Sequence, residues 1–189
     1  MGVMKKEKNY PLFIDFEASS LSVKSYPIEV AWSLEDGTIE GYLINPDAIE
    51  GWTDWDVFAE SIHGISKEQL SIEGKDPKWV VQRMNEVLDG KVLLTNAYEY
   101  DLDWCETLFK AAGEYMLFNL GDAWYVFGRE LFIEPSLENV MLDQPVSSQV
   151  IYDELAKISK SAWKNVEGGQ HRAGVDVQQL IEMWRIVSK

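Results

Sequence analysis

The order of strand-like and helix-like segments limits the possible folds of this chain more than any other feature of its sequence. Three strand patterns come first, at residues 10–16, 28–34 and 38–44, and a turn ending at Gly37 predicts a hairpin between the last two. Further along, strand patterns alternate with segments of helical periodicity. A meander of strands followed by this alternation is typical of an α/β domain with a mixed sheet.

The remaining elements complete that sheet and cover it. Two more strands are predicted at residues 92–95 and 115–119. One helix is expected to begin after Asp76, with Pro77 in its first turn. Helical periodicity predicts others at residues 101–112, 123–131, 147–159 and 174–187, and residues 61–70 are expected to form a short helix or a turn. We therefore expect a single domain over residues 1–189, in which a central five-stranded mixed β-sheet is flanked by α-helices.

The net charge of −15, from 17 basic and 32 acidic residues, restricts the partners that the chain is expected to bind. Proteins that grip long duplex DNA usually present a basic face. The excess of acid is explained either by a solvated acidic surface or by carboxylates gathered around cations that bridge to phosphate groups. The charge favours single-stranded or short nucleic acid over a long duplex bound without help.

Cysteine content and hydropathy indicate the expected compartment. Cys105 is the only cysteine, so no internal disulfide can form, and a reducing cytoplasm is the expected location. No run of about 18 apolar residues occurs, so no membrane partner is expected. Residues 1–9 contain three lysines without a following apolar signal stretch, and we expect them to form a flexible N-terminus.

The segment 13–19, with the sequence FIDFEAS, places two carboxylates on one face of a strand. Residues two apart on a strand share a face, so Asp15 and Glu17 point away from Ile14 and Phe16. Adjacent anions repel each other unless a cation lies between them, and hard oxygen ligands suit Mg²⁺ or Mn²⁺. The same pattern also fits a solvent-facing acidic edge, and both interpretations remain open.

Two further segments supply acidic side chains and a histidine. In the segment HRAGVD, His171 and Asp176 are too far apart in register to share a helical face, which places His171 in the loop before the last helix. Histidine titrates near neutrality, which suits a base that deprotonates water, although a surface histidine fits as well. Asp101 follows the strand at 92–95; it is equally well explained as a helix N-cap, and Asp103 competes with it as a ligand.

In this order, the three segments resemble the motifs of the DEDD 3′–5′ exonucleases of the ribonuclease-H-like fold, in the subclass that carries a histidine (DEDDh). Relatives include proofreading subunits of DNA polymerases, ribonuclease T and oligoribonuclease. The likeness extends from Phe13 to about Ile186 and includes the segment IHGIS at residues 62–66. The second motif departs from the family, because Asn96 lies five residues before Asp101 where many relatives have a spacing of four.

The resemblance implies a ribonuclease-H-like fold and a hydrolase that releases nucleoside 5′-monophosphates from the 3′ end of nucleic acid. It implies that Asp15, Glu17, Asp101 and Asp176 bind two divalent cations, Mg²⁺ or Mn²⁺. It also implies that His171 is the general base that removes a proton from the attacking water.

The substrate-binding residues are expected beside these motifs. Ala18, Ser19 and Ser20 follow the first motif and are expected to offer backbone N–H groups or hydroxyls to the terminal nucleotide. His63 either contacts the sugar or a phosphate, or fixes its own loop. The expected substrate is single-stranded or short RNA or DNA, with RNA slightly favoured, and several relatives form homodimers, so a homodimer is expected by resemblance.

Two other functions fit the same sequence. The first is a hydrolase of dinucleotides, nucleotides or other small phosphodiesters, which the acidity and size of the chain allow. The second is a non-catalytic ribonuclease-H-like module that binds nucleic acid or a protein. The complete set of four carboxylates and one histidine favours an enzyme over the non-catalytic module.

Overall fold

A five-stranded mixed sheet forms the centre of the computed structural model, which describes residues 10–133, 148–169 and 171–189. The strands are β1 Leu12–Ala18, β2 Pro27–Ser33, β3 Ile39–Leu43, β4 Val92–Thr95 and β5 Asn119–Asp122. In space they lie in the order β3-β2-β1-β4-β5. Strand β2 pairs antiparallel with both β1 and β3, whereas β4 runs parallel to β1 and β5 runs parallel to β4.

Helices cover both faces of this sheet, as expected for the predicted α/β fold. Two short 3₁₀ turns accompany them, at Pro46–Ala48 and Trp163–Asn165. None of the helices in the described ranges combines the length and the apolarity needed to cross a membrane. The helices of the described ranges are α1 Val57–His63, α2 Lys67–Glu73, α3 Pro77–Leu88, α4 Tyr98–Ala112, α5 Ala123–Ile133, α6 Ser148–Ala162 and α7 Ala173–Val187.

The alternation of side chains along β1 divides the core into two layers. Ile14 and Phe16 are buried on the face that packs against α3 and α4. Phe13 is buried on the opposite face, against Phe127 of α5, with ring centroids 5.8 Å apart. Burial of such a side chain stabilises the fold by about 1.5–3 kcal/mol. The next two residues on the face of Phe13 are acidic, so the apolar layer between the sheet and α7 ends where the carboxylates begin.

The first strand is displaced from its predicted bounds in a way that matters for the site. It begins at Leu12 rather than at residue 10 and continues to Ala18, so Glu17 lies inside the strand. There Glu17 pairs with Glu29 of β2, and the ladder becomes irregular between Glu17 and Ala18. The irregularity ends the regular pairing next to the first motif.

The fifth strand was predicted at residues 115–119, and this prediction is wrong, since β5 spans Asn119–Asp122. Asn85 of α3 explains the difference. Its side chain donates to the carbonyl oxygen of Tyr115 at 2.8 Å and accepts from the N–H of Leu117 at 3.0 Å. These backbone groups therefore form hydrogen bonds with a side chain and not with a neighbouring strand.

Residues 61–70, which were expected to form a short helix or a turn, span parts of two helices in the structure. Gly64, with a φ of 70°, ends α1 in the left-handed conformation that suits glycine. Asp56 caps α1 and Ser66 caps α2 through their side-chain oxygens. The expected flexible N-terminus, residues 1–9, lies outside the described residues, as does Ser147 at the start of the predicted helix 147–159.

Candidate active site

Three carboxylates from opposite ends of the chain meet at the end of β1. Asp15, Glu17 and Asp176 each offer an oxygen atom within 4.8 Å of the other two. Asp15 is buried, whereas Glu17 and Asp176 are half-buried. Period-two alternation places Asp15 and Glu17 on one face of β1 as predicted, and Asp176 reaches them from the first turn of α7.

All five predicted catalytic residues line one open cavity of about 390 Å³. The cavity lies beyond the carboxyl ends of the parallel strands β1 and β4, where ligand sites of α/β sheets are commonly found. Part of its wall is apolar. The apolar and aromatic residues of this wall are Phe16, Leu21, Ala97, Tyr100, Trp104 and Trp163.

Asp101 belongs to this cavity but not to the group of three carboxylates. Its side chain is buried and accepts a hydrogen bond from the hydroxyl of Thr95, at the end of β4. The alternative interpretation as an N-cap is wrong, because α4 begins at Tyr98 with Ala97 in the capping position. Asp103 lines a neighbouring cavity instead, so the geometry favours Asp101 as the ligand.

Burial and mutual repulsion raise the carboxyl pKa values in this cavity. Burial raises the pKa of Asp15 well above its ordinary value, and the charges of Asp101, Asp176 and Glu17 raise it further. Burial also raises the pKa of Glu17 to about 8, with a further contribution from Asp176. Clustered carboxylates with raised pKa values are typical of sites that a cation completes.

The pKa values of the other two carboxyl groups are raised for similar reasons. Burial raises the pKa of Asp101 to about 7, against the hydrogen bond from Thr95, which lowers it. Burial also raises the pKa of Asp176, whereas the charge of His171 and the backbone N–H groups of His171 and Arg172 lower it. Asp101 and Asp176 therefore each have at least one contact within the protein that stabilises the charged form.

His171 lies in the loop before α7, as predicted, and faces the cavity from an exposed position. Its φ of 64° is the only positive value of a non-glycine residue among the described residues. Such a conformation costs on the order of 1 kcal/mol and persists only where the surroundings hold it. The backbone N–H of His171 lies close enough to the Asp176 carboxylate to help lower its pKa.

The three residues that follow the paired carboxylates were expected to contact the terminal nucleotide, but they do not line the cavity. Ala18, Ser19 and Ser20 are all buried, and the cavity wall of the described residues includes Leu21 in their stead. The hydroxyl of Ser19 accepts from the N–H of Tyr26 at 3.1 Å. Ser20 donates its hydroxyl to a carboxylate oxygen of Asp54. These hydroxyls shape the loop that presents Leu21, and their contact with a nucleotide stays a prediction.

His63 fixes its own loop, which is one of the two roles considered for it. The residue is buried, and its Nδ1 accepts from the N–H of Ile65 at 3.0 Å. The imidazole packs edge-on against Trp55, with centroids 6.3 Å apart, and burial lowers its pKa. His63 does not line the cavity, so its predicted contact with the substrate has no support from the geometry.

Sequence reasoning missed three polar residues around the cavity. Thr95 holds Asp101, and the strand-like pattern of residues 92–95 gave no sign of that contact. Glu29 and Arg172 form an ion pair beside the carboxylates, with nitrogen and oxygen 2.6 Å apart. The only signal for this pair was a charged residue inside an otherwise apolar strand pattern, which indicates a buried partner.

The fold and the carboxylate cluster define this chain as a ribonuclease-H-like α/β protein with a candidate metal centre. Its sequence matches no protein-family model and no curated protein. Solved structures of exonuclease I do match it. The zinc-bound complex of the E. coli enzyme with single-stranded DNA has a TM-score of 0.65 and 16% identity, over 93% of this chain and 39% of that chain.

Two further solved structures give the same result. The E. coli enzyme in complex with a dT13 oligonucleotide has a TM-score of 0.65 and 16% identity, over 94% of this chain and 40% of that one. A product-bound exonuclease I has a TM-score of 0.63 and 17% identity, over 93% and 42%. This chain spans about two fifths of the length of these proteins. The likeness confirms the predicted ribonuclease-H-like fold, whereas the histidine subclass stays a prediction.

Proposed function

We propose that this chain is a metal-dependent 3′–5′ exonuclease that acts on single-stranded or short nucleic acid. One observation carries the proposal: four carboxylates and a histidine line one cavity in a fold that is shared with exonuclease I. The sequence order of these residues is that of the DEDD motifs. Their convergence in space was not required by that order, since β1, α4 and α7 are far apart along the chain.

The residues present fit divalent cations. The donors are carboxylate oxygens, which hard cations such as Mg²⁺ and Mn²⁺ prefer. Burial first, and repulsion between the carboxylates second, raise the pKa values of these groups, so a bound cation would stabilise their charged forms. Asp15, Glu17, Asp101 and Asp176 would hold two cations, which would stabilise the charge on the attacking and leaving oxygens of the phosphodiester.

The protein side chains would then perform the remaining chemistry. His171 accepts a proton from the attacking water, and the water oxygen forms a bond to the terminal phosphorus. The bond between that phosphorus and the preceding 3′ oxygen breaks, and this oxygen takes up a proton. A nucleoside 5′-monophosphate leaves, together with a chain that is one nucleotide shorter. The exposed position of His171 allows the proton to pass on to solvent.

The cavity wall supports an unpaired substrate. Leu21, Tyr100 and Trp104 lie beside the carboxylates, and 52% of Tyr100 is exposed, so its ring is accessible to an unpaired base. Two of the similar structures hold single-stranded DNA, which supports the same class of substrate here. The slight preference for RNA, the homodimer and the cytoplasmic location have no such support and stay predictions.

Hydrolysis of dinucleotides or other small phosphodiesters is the second candidate function. The cavity volume of about 390 Å³ favours it, because sites for small molecules occupy about 300–1,000 Å³. Cleavage rates against substrate length separate the two candidates. An exonuclease shortens a long oligonucleotide stepwise, whereas the narrower hydrolase cleaves a dinucleotide and leaves the long oligonucleotide intact.

The experiment uses matched DNA and RNA oligonucleotides labelled at the 5′ end, with Mn²⁺ or with EDTA. The wild-type protein is compared with Asp15→Asn and with Asp36→Asn, which makes the same change in an exposed turn of the β2–β3 hairpin. A 5′-labelled ladder that requires Mn²⁺, and that only Asp15→Asn abolishes, would establish the exonuclease and its sugar preference. Absence of cleavage in a folded protein whose melting temperature Mn²⁺ still raises would refute the activity and favour a binding module.

A further inference from the structure

A buried carboxylate that does not line the cavity holds the loop that carries His171. Glu29 lies on β2, opposite Glu17 of β1. Its side chain is 11% exposed, whereas that of its partner Arg172 is 42% exposed. Glu29 is therefore the fixed member of the pair, and the loop before α7 is attached to it.

Glu29 binds both residues that follow His171. The guanidinium of Arg172 donates from Nη2 to Oε1 at 2.6 Å and from Nε to Oε2 at 3.1 Å. The backbone N–H of Ala173 donates to Oε2 at 3.0 Å. Paired hydrogen bonds between a guanidinium and a carboxylate fix direction as well as distance. One rigid strand thus determines where the chain lies immediately after His171.

The same contacts replace the missing cap of α7. This helix begins at Ala173, and Arg172 in the N-cap position makes no capping bond with its own side chain. Instead, the carboxylate of Glu29 on β2 accepts a hydrogen bond from the N–H of Ala173. A negative charge is favourable at this end of a helix because of the helix dipole. The start of α7 is therefore fixed relative to β2, and Asp176 follows within its first turn.

We propose that Glu29 is a positioning residue that, through Arg172 and Ala173, holds His171 and Asp176 against the carboxylates of β1. This inference rests on the proposed exonuclease function. Arg172 neutralises Glu29, which would otherwise stand as another uncompensated anion opposite Glu17. The ion pair between Glu29 and Arg172 therefore adds no net charge beside the cavity.

The kinetic test compares Glu29→Gln with Glu40→Gln. Glu40 is a matched control, because its carboxylate also binds an arginine through two hydrogen bonds, of 2.6 and 3.1 Å to Arg83, on the other face of the sheet. With saturating Mn²⁺ we expect Glu29→Gln to lower kcat about 10- to 100-fold and to leave KM within about twofold, because misplacement of a reacting group affects the chemical step. Glu40→Gln is expected to keep wild-type kinetics.

A double-mutant cycle separates positioning from general destabilisation. In a His171→Ala background, Glu29→Gln is expected to lower kcat less than in the wild type, because one of the two groups it positions is then absent. An equal fold-loss in both backgrounds, or wild-type kcat in Glu29→Gln, overturns the proposal. If Glu29→Gln does not fold, Arg172→Lys takes its place. Lysine keeps the charge but loses the paired hydrogen bonds, and the same split between kcat and KM is expected.

Amide hydrogen exchange tests the anchor without any cleavage assay. The Ala173 amide is expected to exchange at least about tenfold faster in Glu29→Gln than in the wild type or in Glu40→Gln, because its acceptor is weakened. Unchanged exchange overturns the proposal even if the protein is an exonuclease. If the wild type cleaves nothing, the proposed function fails, while faster exchange in Glu29→Gln alone still supports the anchor.

Discussion

Asp15 of β1 and Asp176 of α7 bring carboxylate oxygens within 4.8 Å of each other, although they come from opposite ends of the chain. Burial raises the pKa of both carboxyl groups, and the charge of Asp176 raises that of Asp15 further. The fold thus brings together charges that destabilise it in the absence of a cation.

The first prediction concerns metal binding. Mn²⁺ is expected to raise the melting temperature of the wild-type protein by several degrees, because a ligand that binds only the folded state stabilises it. Asp15→Asn is expected to melt at a higher temperature than the wild type in EDTA, because it removes a repelled charge, and to gain little from Mn²⁺. Thermal unfolding with a Mn²⁺ titration measures both effects. A shift of equal size in the two proteins would contradict this assignment of the ligands.

The second prediction concerns pH. Glu17 has a pKa of about 8 in the folded chain against an ordinary value of 4.5, and Asp101 about 7 against 3.8. Within these windows the folded chain binds more protons than the unfolded one, so the free energy of unfolding falls as pH rises. In EDTA, this contribution to stability is present at low pH and is lost as pH rises to about 8.

Thermal unfolding in EDTA, measured from low pH up to about pH 8, tests whether stability falls as pH rises. Glu17→Gln is expected to flatten the dependence on pH, and saturating Mn²⁺ is expected to remove most of it. Glu40→Gln is the matched control, since hydrogen bonding by Arg83 lowers the pKa of Glu40 and gives its contribution the opposite sign. A wild-type melting temperature that increases steadily with pH in EDTA would rule out the repulsion described above.

The third prediction separates Asp101 from Asp103. The two residues lie on the same helix, but only Asp101 lines the cavity with the other carboxylates. Asp101→Asn is expected to lower kcat by about a thousandfold or more, because it removes a ligand of the cations that would stabilise the charged transition state. Asp103→Asn is expected to stay within about twofold of the wild type. A larger loss in Asp103→Asn than in Asp101→Asn, measured in a single-turnover assay, would show that Asp103 is the metal ligand.

The sequence predicted the parts of the site that depend on local periodicity. Alternation along a strand placed Asp15 and Glu17 on one face, and the spacing of the last motif placed His171 in a loop. The contacts of Glu29 and Thr95 depend on which residues lie opposite in a folded sheet or helix, which local patterns do not specify.

The same reasoning explains the errors in the predicted elements. Apolar residues at 115–118 look like a strand, but the side chain of Asn85 takes their backbone groups, and that contact joins residues about thirty positions apart. The serines after the first motif look available to a substrate. In the folded chain Ser20 donates to Asp54, a partner equally distant in sequence. Both contacts join polar groups of distant segments, which local patterns do not specify.

The fourth prediction concerns His171. His171→Ala is expected to lower kcat by about 10²- to 10⁴-fold, the range for loss of a general base, while Mn²⁺ still raises the melting temperature. His171→Gly is expected to be equally inactive but more stable than His171→Ala by about 1 kcal/mol, because glycine accepts the φ of 64° without strain. Chemical denaturation and steady-state kinetics measure the two effects. Equal stability would show that the left-handed backbone is not retained in solution.

The fifth prediction concerns the residue that holds Asp101. Thr95→Val keeps the shape of the side chain but removes the hydroxyl that donates to the Asp101 carboxylate. Because this hydrogen bond lowers the pKa of Asp101, its loss raises that pKa further and makes the metal-binding anion harder to form. The Mn²⁺ concentration for half-maximal activity is expected to rise about tenfold, as for other residues that support metal ligands, while kcat at saturating Mn²⁺ changes little.

Thr38→Val is the matched control for this change, because Thr38 donates to Asp36 in the same way, at 2.6 Å, but on the exposed β2–β3 turn. It is expected to leave the Mn²⁺ requirement unchanged. If Thr95→Val lowers kcat at every Mn²⁺ concentration by the same factor, the hydroxyl acts on the chemical step and not on the ligand. Equal Mn²⁺ requirements in the wild type, Thr95→Val and Thr38→Val would contradict this role of the hydroxyl. Burial in α4 would then be enough to hold the Asp101 carboxylate after the loss of Thr95, its only side-chain donor among the described residues.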